Sequence, residues 1–142
     1  MIRRMEARDL AQVSANEALC FSMPWSLRAF ADVLAREEMI FLVAEEEGRI
    51  VGHCGVTNVL GEGNITNVAV HPDYRKRGIG RKMLARLLQE GRKAGITAFT
   101  LEVREGNKEA VYLYEKAGFV TEGVRRGFYD KPKENALIMW KR

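Results

Sequence analysis

The chain has 142 residues, 46% of them hydrophobic and 30% charged, with a formal net charge of +4. This is the size and apolar content of one self-sufficient domain, since ~100–200 residues can bury a full core without staples, and it argues against a disordered chain or a repeat array. The positive charge is modest and clustered, at Arg75, Lys76, Arg77, Arg81 and Lys82 and again from Arg125 to Arg142, which suits a small polyanion at least as well as a nucleic-acid duplex.

Cys20 and Cys54 are the only two cysteines and stand in no C-x-x-C or Cys/His spacing, so reduced thiols are expected and no metal or disulfide framework. The start Met1-Ile2-Arg3-Arg4-Met5-Glu6 has no apolar signal core, and no apolar run approaches the ~20 residues that span a bilayer. A cytoplasmic protein without a membrane partner is the expectation.

In chain order, a short N-terminal strand precedes two helices. Asp9 can cap the first, with Leu10, Val13, Glu17 and Ala18 following, and Ser26 the second, with Leu27, Phe30, Val33 and Leu34. Between them lies the loop Phe21-Ser22-Met23-Pro24-Trp25. Ile40–Ala44 and Ile50–Thr57, joined through Gly48, read as a β-hairpin, and the turn Gly61-Glu62-Gly63 leads into a strand over 64–70. From Ile79 the period becomes helical, with Met83, Leu84, Leu87 and Leu88 on one face and Gly95 as the stop. A strand at 97–103, a helix at 108–116 stopped at Gly118, and strands at 119–121 and 136–140, joined by an Arg/Lys-rich connection, complete a mixed α/β sheet with helices on both sides.

The most informative stretch is Val68-Ala69-Val70-His71-Pro72-Asp73-Tyr74-Arg75-Lys76-Arg77-Gly78-Ile79-Gly80-Arg81. A strand stops, a basic turn carries two glycines, and a helix begins at once. Such a turn aims free backbone N–H groups and the positive helix end at one place, which should bind an anion. Gly78 and Gly80 leave no Cβ in the way. Neither the G-x-x-x-x-G-K-[ST] phosphate loop nor an N-terminal G-x-G-x-x-G is present.

Arg75-x-x-Gly78-x-Gly80 following Asn67–Pro72 resembles the acyl-CoA-binding motif of the GNAT superfamily of N-acetyltransferases. The resemblance implies a mostly antiparallel central sheet flanked by helices and splayed at the acyl-CoA site. It also implies acetyl-CoA as cosubstrate, with Arg75, Lys76, Arg77, Gly78, Ile79, Gly80 and Arg81 around its pyrophosphate and Val68, Ala69 and Val70 along its pantetheine arm. An amide-bearing arm can satisfy a splayed strand's unpaired backbone like an added strand. Leu101–Phe119 is similar to the L-E-V-R-x-x-N-x-x-A-x-x-L-Y-x-x-x-G-F segment of the RimI-type ribosomal-protein alanine acetyltransferases, and Pro24-Trp25-Ser26 and Arg125-Arg126-x-x-Tyr129 resemble that subgroup too. The resemblance covers roughly Phe21 to Trp140 and implies one N-acetyltransferase domain over 1–142, monomeric or weakly dimeric, acting on a protein N-terminus.

By the same resemblance Glu102 is the general base, Tyr114 the acid that protonates the departing thiolate, and Asn107 a pantetheine ligand. Phe21, Trp25, Arg126 and Tyr129 would line the acceptor groove. The chemistry is apt, because an α-amine has a pKa of about 8 and needs only a mild base, and a phenol near 10 is still protonated at neutral pH. From the residues alone, Glu102 could instead be a strand carboxylate paired with Arg104, Tyr114 a core tyrosine, and Asn107 a helix cap. Relatives often carry Glu on the strand before the phosphate turn, where this chain has Asn64 and, earlier on the same face, Glu62. Near the end it reads Phe128-Tyr129 and Glu134-Asn135 where paired tyrosines and acidic residues are common. A polyamine, amino-sugar or lysine acceptor, a non-catalytic acyl-CoA-binding module and a nucleic-acid binder stay open. A cysteine-based ping-pong enzyme is disfavoured because neither thiol has an adjacent base. His53 and His71 read as a strand and a turn residue.

Overall fold

The computed structural model describes residues 1–142. Strand β1 (Ile2–Arg4) precedes helices α1 (Leu10–Cys20) and α2 (Leu27–Val33). Strands β2 (Met39–Glu46), β3 (Arg49–Val59) and β4 (Glu62–Val70) come next, then helix α3 (Ile79–Lys93), strand β5 (Ala98–Arg104) and helix α4 (Lys108–Lys116). Strands β6 (Val120–Tyr129) and β7 (Glu134–Lys141) end the chain. The seven strands form one sheet in the order β1-β2-β3-β4-β5-β7-β6, in which β4 and β5 are parallel and all other neighbours antiparallel. The expected mixed, mostly antiparallel sheet with flanking helices is what the chain builds.

Strand alternation divides the core between two faces. In β2, Ile40, Leu42 and Ala44 join Val51, Cys54 and Val56 of β3 against the buried stripe Ile79, Met83, Leu84, Leu87 and Leu88 of α3, with α4 packed beside it through Tyr114. Phe41 and Val43 point the other way, onto Val13 of α1 and Phe30 and Val33 of α2. Each Val, Leu, Ile, Met or Phe among these, taken wholly out of water, contributes about 1.5–3 kcal/mol. Gly55 in β3 makes room for the Phe41 ring of the neighbouring strand: a Cβ there would lie 2.1 Å from Phe41 Cε2. No helix is long and apolar enough to cross a membrane.

Two caps are as expected, Ser26 Oγ accepting from Ala29 N at 3.1 Å and Asn107 Oδ1 from Ala110 N at 3.2 Å. Asp9 differs. It makes no side-chain cap to α1, because both its oxygens are taken by the Arg3 guanidinium, at 2.8 and 2.9 Å, and one of them also by Glu6 N. The turn before β4 is tighter than expected: Leu60 and Gly61 carry the positive φ values, 52° and 89°, so Glu62 and Gly63 already belong to the strand. The Arg/Lys-rich connection is largely strand, since β6 runs on to Tyr129 through two register shifts against β7.

One feature of the sheet makes the site. β4 pairs with β5 only over Glu62–Asn64 against Ala98–Thr100. Beyond that, the β3–β4 ladder passes from Gly55 opposite Thr66 to His53 opposite Ala69, so two residues of β4, Asn67 and Val68, stand against one of β3. Asn67 takes the left-handed conformation, φ 58°. This β-bulge bends β4, and the two parallel strands part.

Candidate active site

Between the parted strands run two cavities that meet. The first, about 420 Å³, is lined by Glu102, Tyr114, Trp25, Phe21 and Tyr129 among others. The second, about 900 Å³, extends past Val68, Ala69 and Val70 to Arg75, Lys76, Gly78, Gly80 and Arg81. Val68, Asn107, Ala110 and Tyr114 line both, together with Cys20 and Phe21.

The phosphate-type turn occupies the end of the larger cavity. Gly78 caps α3 with φ 80°, a left-handed conformation that a Cβ would strain. Gly80 is different: it needs no such conformation, and a Cβ there would meet Leu113 and Val70 only at ordinary contact distance, 3.6 Å. The fold tolerates a side chain at Gly80, so glycine there serves the open space in front of it. The first N–H groups of α3, a helix of 15 residues, have no intrahelical partner and carry its positive end. The side chains of the turn do not all face the cavity. Arg77 packs over the Tyr74 ring, 4.9 Å from its centroid, so its charge does not line the cavity as expected, and the Ile79 side chain is buried in the core, leaving only its backbone for the role expected of the turn. The Arg75 Nε donates to the Val70 carbonyl at 3.1 Å, tying the turn to the end of β4.

Glu102 and Tyr114 converge on the smaller cavity. Glu102 lies in β5, half-buried, and makes no ion pair: Arg104, two positions on, is held instead by Glu134 at 3.2 Å and stacks on the Tyr129 ring at 4.3 Å. Tyr114 is 7% exposed. Its hydroxyl finds no partner within the protein, and burial, with smaller contributions from Cys54 and Tyr129, holds its proton well above the ordinary tyrosine range. Burial likewise pushes Tyr129 up to about 12, aided by the charge of Glu102. Asn107 caps α4 with its oxygen and still lines both cavities. Cys54 is sealed in β3 and pushed up to about 12 by burial. The Cys20 thiol is also raised, chiefly by burial, and donates to Val70 O at 3.4 Å, the opposite of a poised thiolate.

Of the expected acceptor-side residues, Phe21, Trp25 and Tyr129 line the smaller cavity, and Arg126 does not. Arg126 is exposed within the irregular stretch of β6 between Arg125 and Tyr129, where Gly127 takes φ 62° and the register shifts, so the strand's alternation cannot carry it inward. Sequence reasoning also missed lining residues, among them Glu17, Met23, Thr66 and Asn67. Glu17 carried a signal, a carboxylate on the inward stripe of α1 four residues before the aromatic loop.

A model of the family described as "Acetyltransferase (GNAT) family" matches residues 9–119. The chain belongs to the GNAT acetyltransferase family. Among its relatives, a ribosomal protein bS18-alanine N-acetyltransferase of Escherichia coli is 34% identical over 140 residues, 97% of this chain and 94% of that one. A crystal structure of the ribosomal-protein-S18-alanine N-acetyltransferase from Escherichia coli superposes with a TM-score of 0.90 at 33% identity, covering 99% of this chain and 91% of the other. That of Ard1 from Thermoplasma volcanium reaches 0.90 at 26% identity, covering 99% and 95%. The splayed strands, the glycine turn at the start of α3 and the paired cavities are therefore those of an acetyltransferase.

Proposed function

We propose that the chain, acting as a single N-acetyltransferase domain, moves the acetyl group of acetyl-CoA onto the α-amine of a protein N-terminus by direct attack in a ternary complex. The observation that carries this reading is the meeting of two cavities at Tyr114, one ending in the helix-start turn and the other holding Glu102. The larger takes the donor. Its pyrophosphate lies against Gly78, Gly80 and the first amides of α3, and its amide-bearing arm runs along Val68–Val70, where β4 has left β5. The smaller takes the acceptor terminus between Phe21, Trp25 and Tyr129.

Glu102, without a cation partner, accepts a proton from the α-ammonium directly or through a water, giving the neutral amine. The amine nitrogen attacks the thioester carbon; the C–N bond forms and the C–S bond breaks. The Tyr114 proton passes to the departing thiolate as charge develops on sulfur, the surplus proton of the acylated nitrogen returns through water to the phenolate to leave the neutral amide, and Glu102 gives its proton up to solvent. An α-amine, with its pKa of about 8, asks less of a carboxylate base than a lysine at about 10.4. The names of the bS18-alanine acetyltransferases support a protein terminus as acceptor, with alanine first and a ribosomal protein as its source.

The deciding experiment incubates the protein with acetyl-CoA and a mixture of peptides with different first residues, spermidine and an aminoglycoside, and reads the acetylated species by mass spectrometry. Acetylation of an N-terminal α-amine, alanine foremost, is the expected result. Acetylation of the polyamine or amino sugar alone overturns the acceptor assignment, and no release of free thiol overturns the catalytic one.

A further inference from the structure

The acceptor cavity contains a second carboxylate, and it is built in. Glu17 of α1 is 2% exposed, yet both its oxygens are engaged by three different parts of the chain. Its Oε1 lies 2.9 Å from His53 Nε2 in β3. Its Oε2 accepts from Asn67 Nδ2 at 2.9 Å and from the backbone N–H of Trp25 at 3.1 Å. His53 is wholly buried and its Nδ1 has no partner. A proton on Nδ1 would be an orphaned donor, so the arrangement fits a neutral imidazole whose Nε2–H donates to the carboxylate.

These contacts reach the two features that shape the cavity. Asn67 is the left-handed residue of the bulge that parts β4 from β5. Trp25 ends the loop that forms the opposite wall, and its ring is anchored against Phe30 and Phe41 at 5.3 and 5.8 Å between centroids. No other side chain bonds both the loop and the bulge. The glycine turn lies at the far end of β4, is tied to Val70 through Arg75, and receives no bond from Glu17.

We infer that Glu17 is a positioning residue of the acceptor side, a buried clasp that sets the distance between the Phe21–Trp25 loop and the Asn67 bulge and so fixes where the acceptor terminus meets the thioester. This rests on the acceptor assignment above. A displacement of about 1 Å can cost on the order of 10²-fold in rate, and because the glycine turn that holds the pyrophosphate receives no bond from Glu17, loss of the clasp falls on the acceptor more than on the cofactor.

Three variants test it. Glu17→Gln keeps an oxygen for Asn67 and Trp25 and turns its NH₂ toward His53, which can accept if its proton moves to Nδ1. Asn67→Gly deletes the tethering amide and keeps the left-handed backbone without strain. Glu17→Ala removes the clasp. Steady-state kinetics against an alanine-terminated peptide, calorimetric titration of coenzyme A and thermal unfolding are measured for each.

The expected result is an acceptor KM raised about tenfold or more in Glu17→Ala and at least about threefold in Asn67→Gly, with kcat falling as well because the terminus meets the thioester out of line, and with coenzyme A affinity within about twofold of the parent. Glu17→Gln retains a near-parental KM despite a lower unfolding temperature. If Glu17→Ala does not fold, Asn67→Gly and Glu17→Gln carry the comparison. Unchanged acceptor KM in folded Asn67→Gly, or equal loss of coenzyme A and acceptor affinity, overturns the inference. A parent protein that acetylates no peptide overturns the acceptor reading instead, so the two failures are distinct.

Discussion

Arg104 turns away from Glu102, its neighbour on the same face of β5, and reaches across to Glu134 of β7 at 3.2 Å. That choice leaves the Glu102 carboxylate facing the cavity without a cation to neutralise it, the condition a proton acceptor needs.

Glu102→Gln should therefore lower kcat by about 10²–10⁴ at neutral pH. The deficit should shrink as pH rises through the α-amine pKa of about 8, where the acceptor loses its proton to solvent without help. A pH–rate profile of the variant beside the parent checks this, with calorimetry confirming that coenzyme A still binds. A deficit that stays constant across pH would remove the base assignment.

Tyr114→Phe keeps the buried ring and removes only the hydroxyl. A reduction in kcat of about 10²-fold or more, with little change in coenzyme A affinity or unfolding temperature, is the expected outcome. Because burial raises this phenol above its usual range, it stays protonated through the alkaline assay range, so the parent's rate should show no fall near pH 10 from its ionisation.

Alkaline stability follows from Cys54. Its thiol titrates near 9.0 when free and is pushed up to about 12 in the fold. Between those values the folded protein holds a proton that the unfolded chain has lost, so stability is intact below pH 9.0 and falls as pH rises, by about 1.4 kcal/mol per pH unit for one proton. Tyr114 and Tyr129, both raised from 10.0, steepen the decline above that pH. Denaturant unfolding at stepped pH should show a shallower slope in Cys54→Ala, whatever constant loss its cavity brings.

Two glycines should respond in opposite ways to alanine. Gly55→Ala drives a methyl into the Phe41 ring and should destabilise by about 1–3 kcal/mol with no specific effect on the cofactor. Gly80→Ala, whose methyl meets only ordinary contacts, should leave the unfolding temperature unchanged or slightly raised and weaken coenzyme A binding about tenfold, ~1.4 kcal/mol. Calorimetric titration and thermal melts on both proteins separate the two.

What could be read in the chain beforehand was what is local. The 3.6-residue stripe of α3, the caps at Ser26 and Asn107 and the strand–turn–helix around Gly78 each depend on residues a few positions apart, and each is found in place. Glu102 and Tyr114 were legible only through the family segment that contains them; composition and spacing left a core tyrosine and a paired carboxylate open. The clasp was not legible, because Glu17, His53 and Asn67 are far apart in sequence and meet only when α1 lies across β3 and β4. Arg126 was placed in the groove by the family resemblance alone; it is exposed in the stretch of β6 between Arg125 and Tyr129, where pairing with β7 shifts register, a long-range feature that no local pattern announces.

The three-residue seam between β4 and β5 has a mechanical consequence. The sheet consists of two antiparallel leaves, one of four strands and one of three, hinged at Glu62–Asn64 and Ala98–Thr100 and otherwise kept together by the helices behind them. A thioester carrier lodged in the gap as proposed would complete the missing ladder like a rivet, and at a hundredfold excess over its dissociation constant would add about 2.7 kcal/mol to the folded state. Amide hydrogen exchange should then slow first along Val68–Val70, the open rim of the hinge.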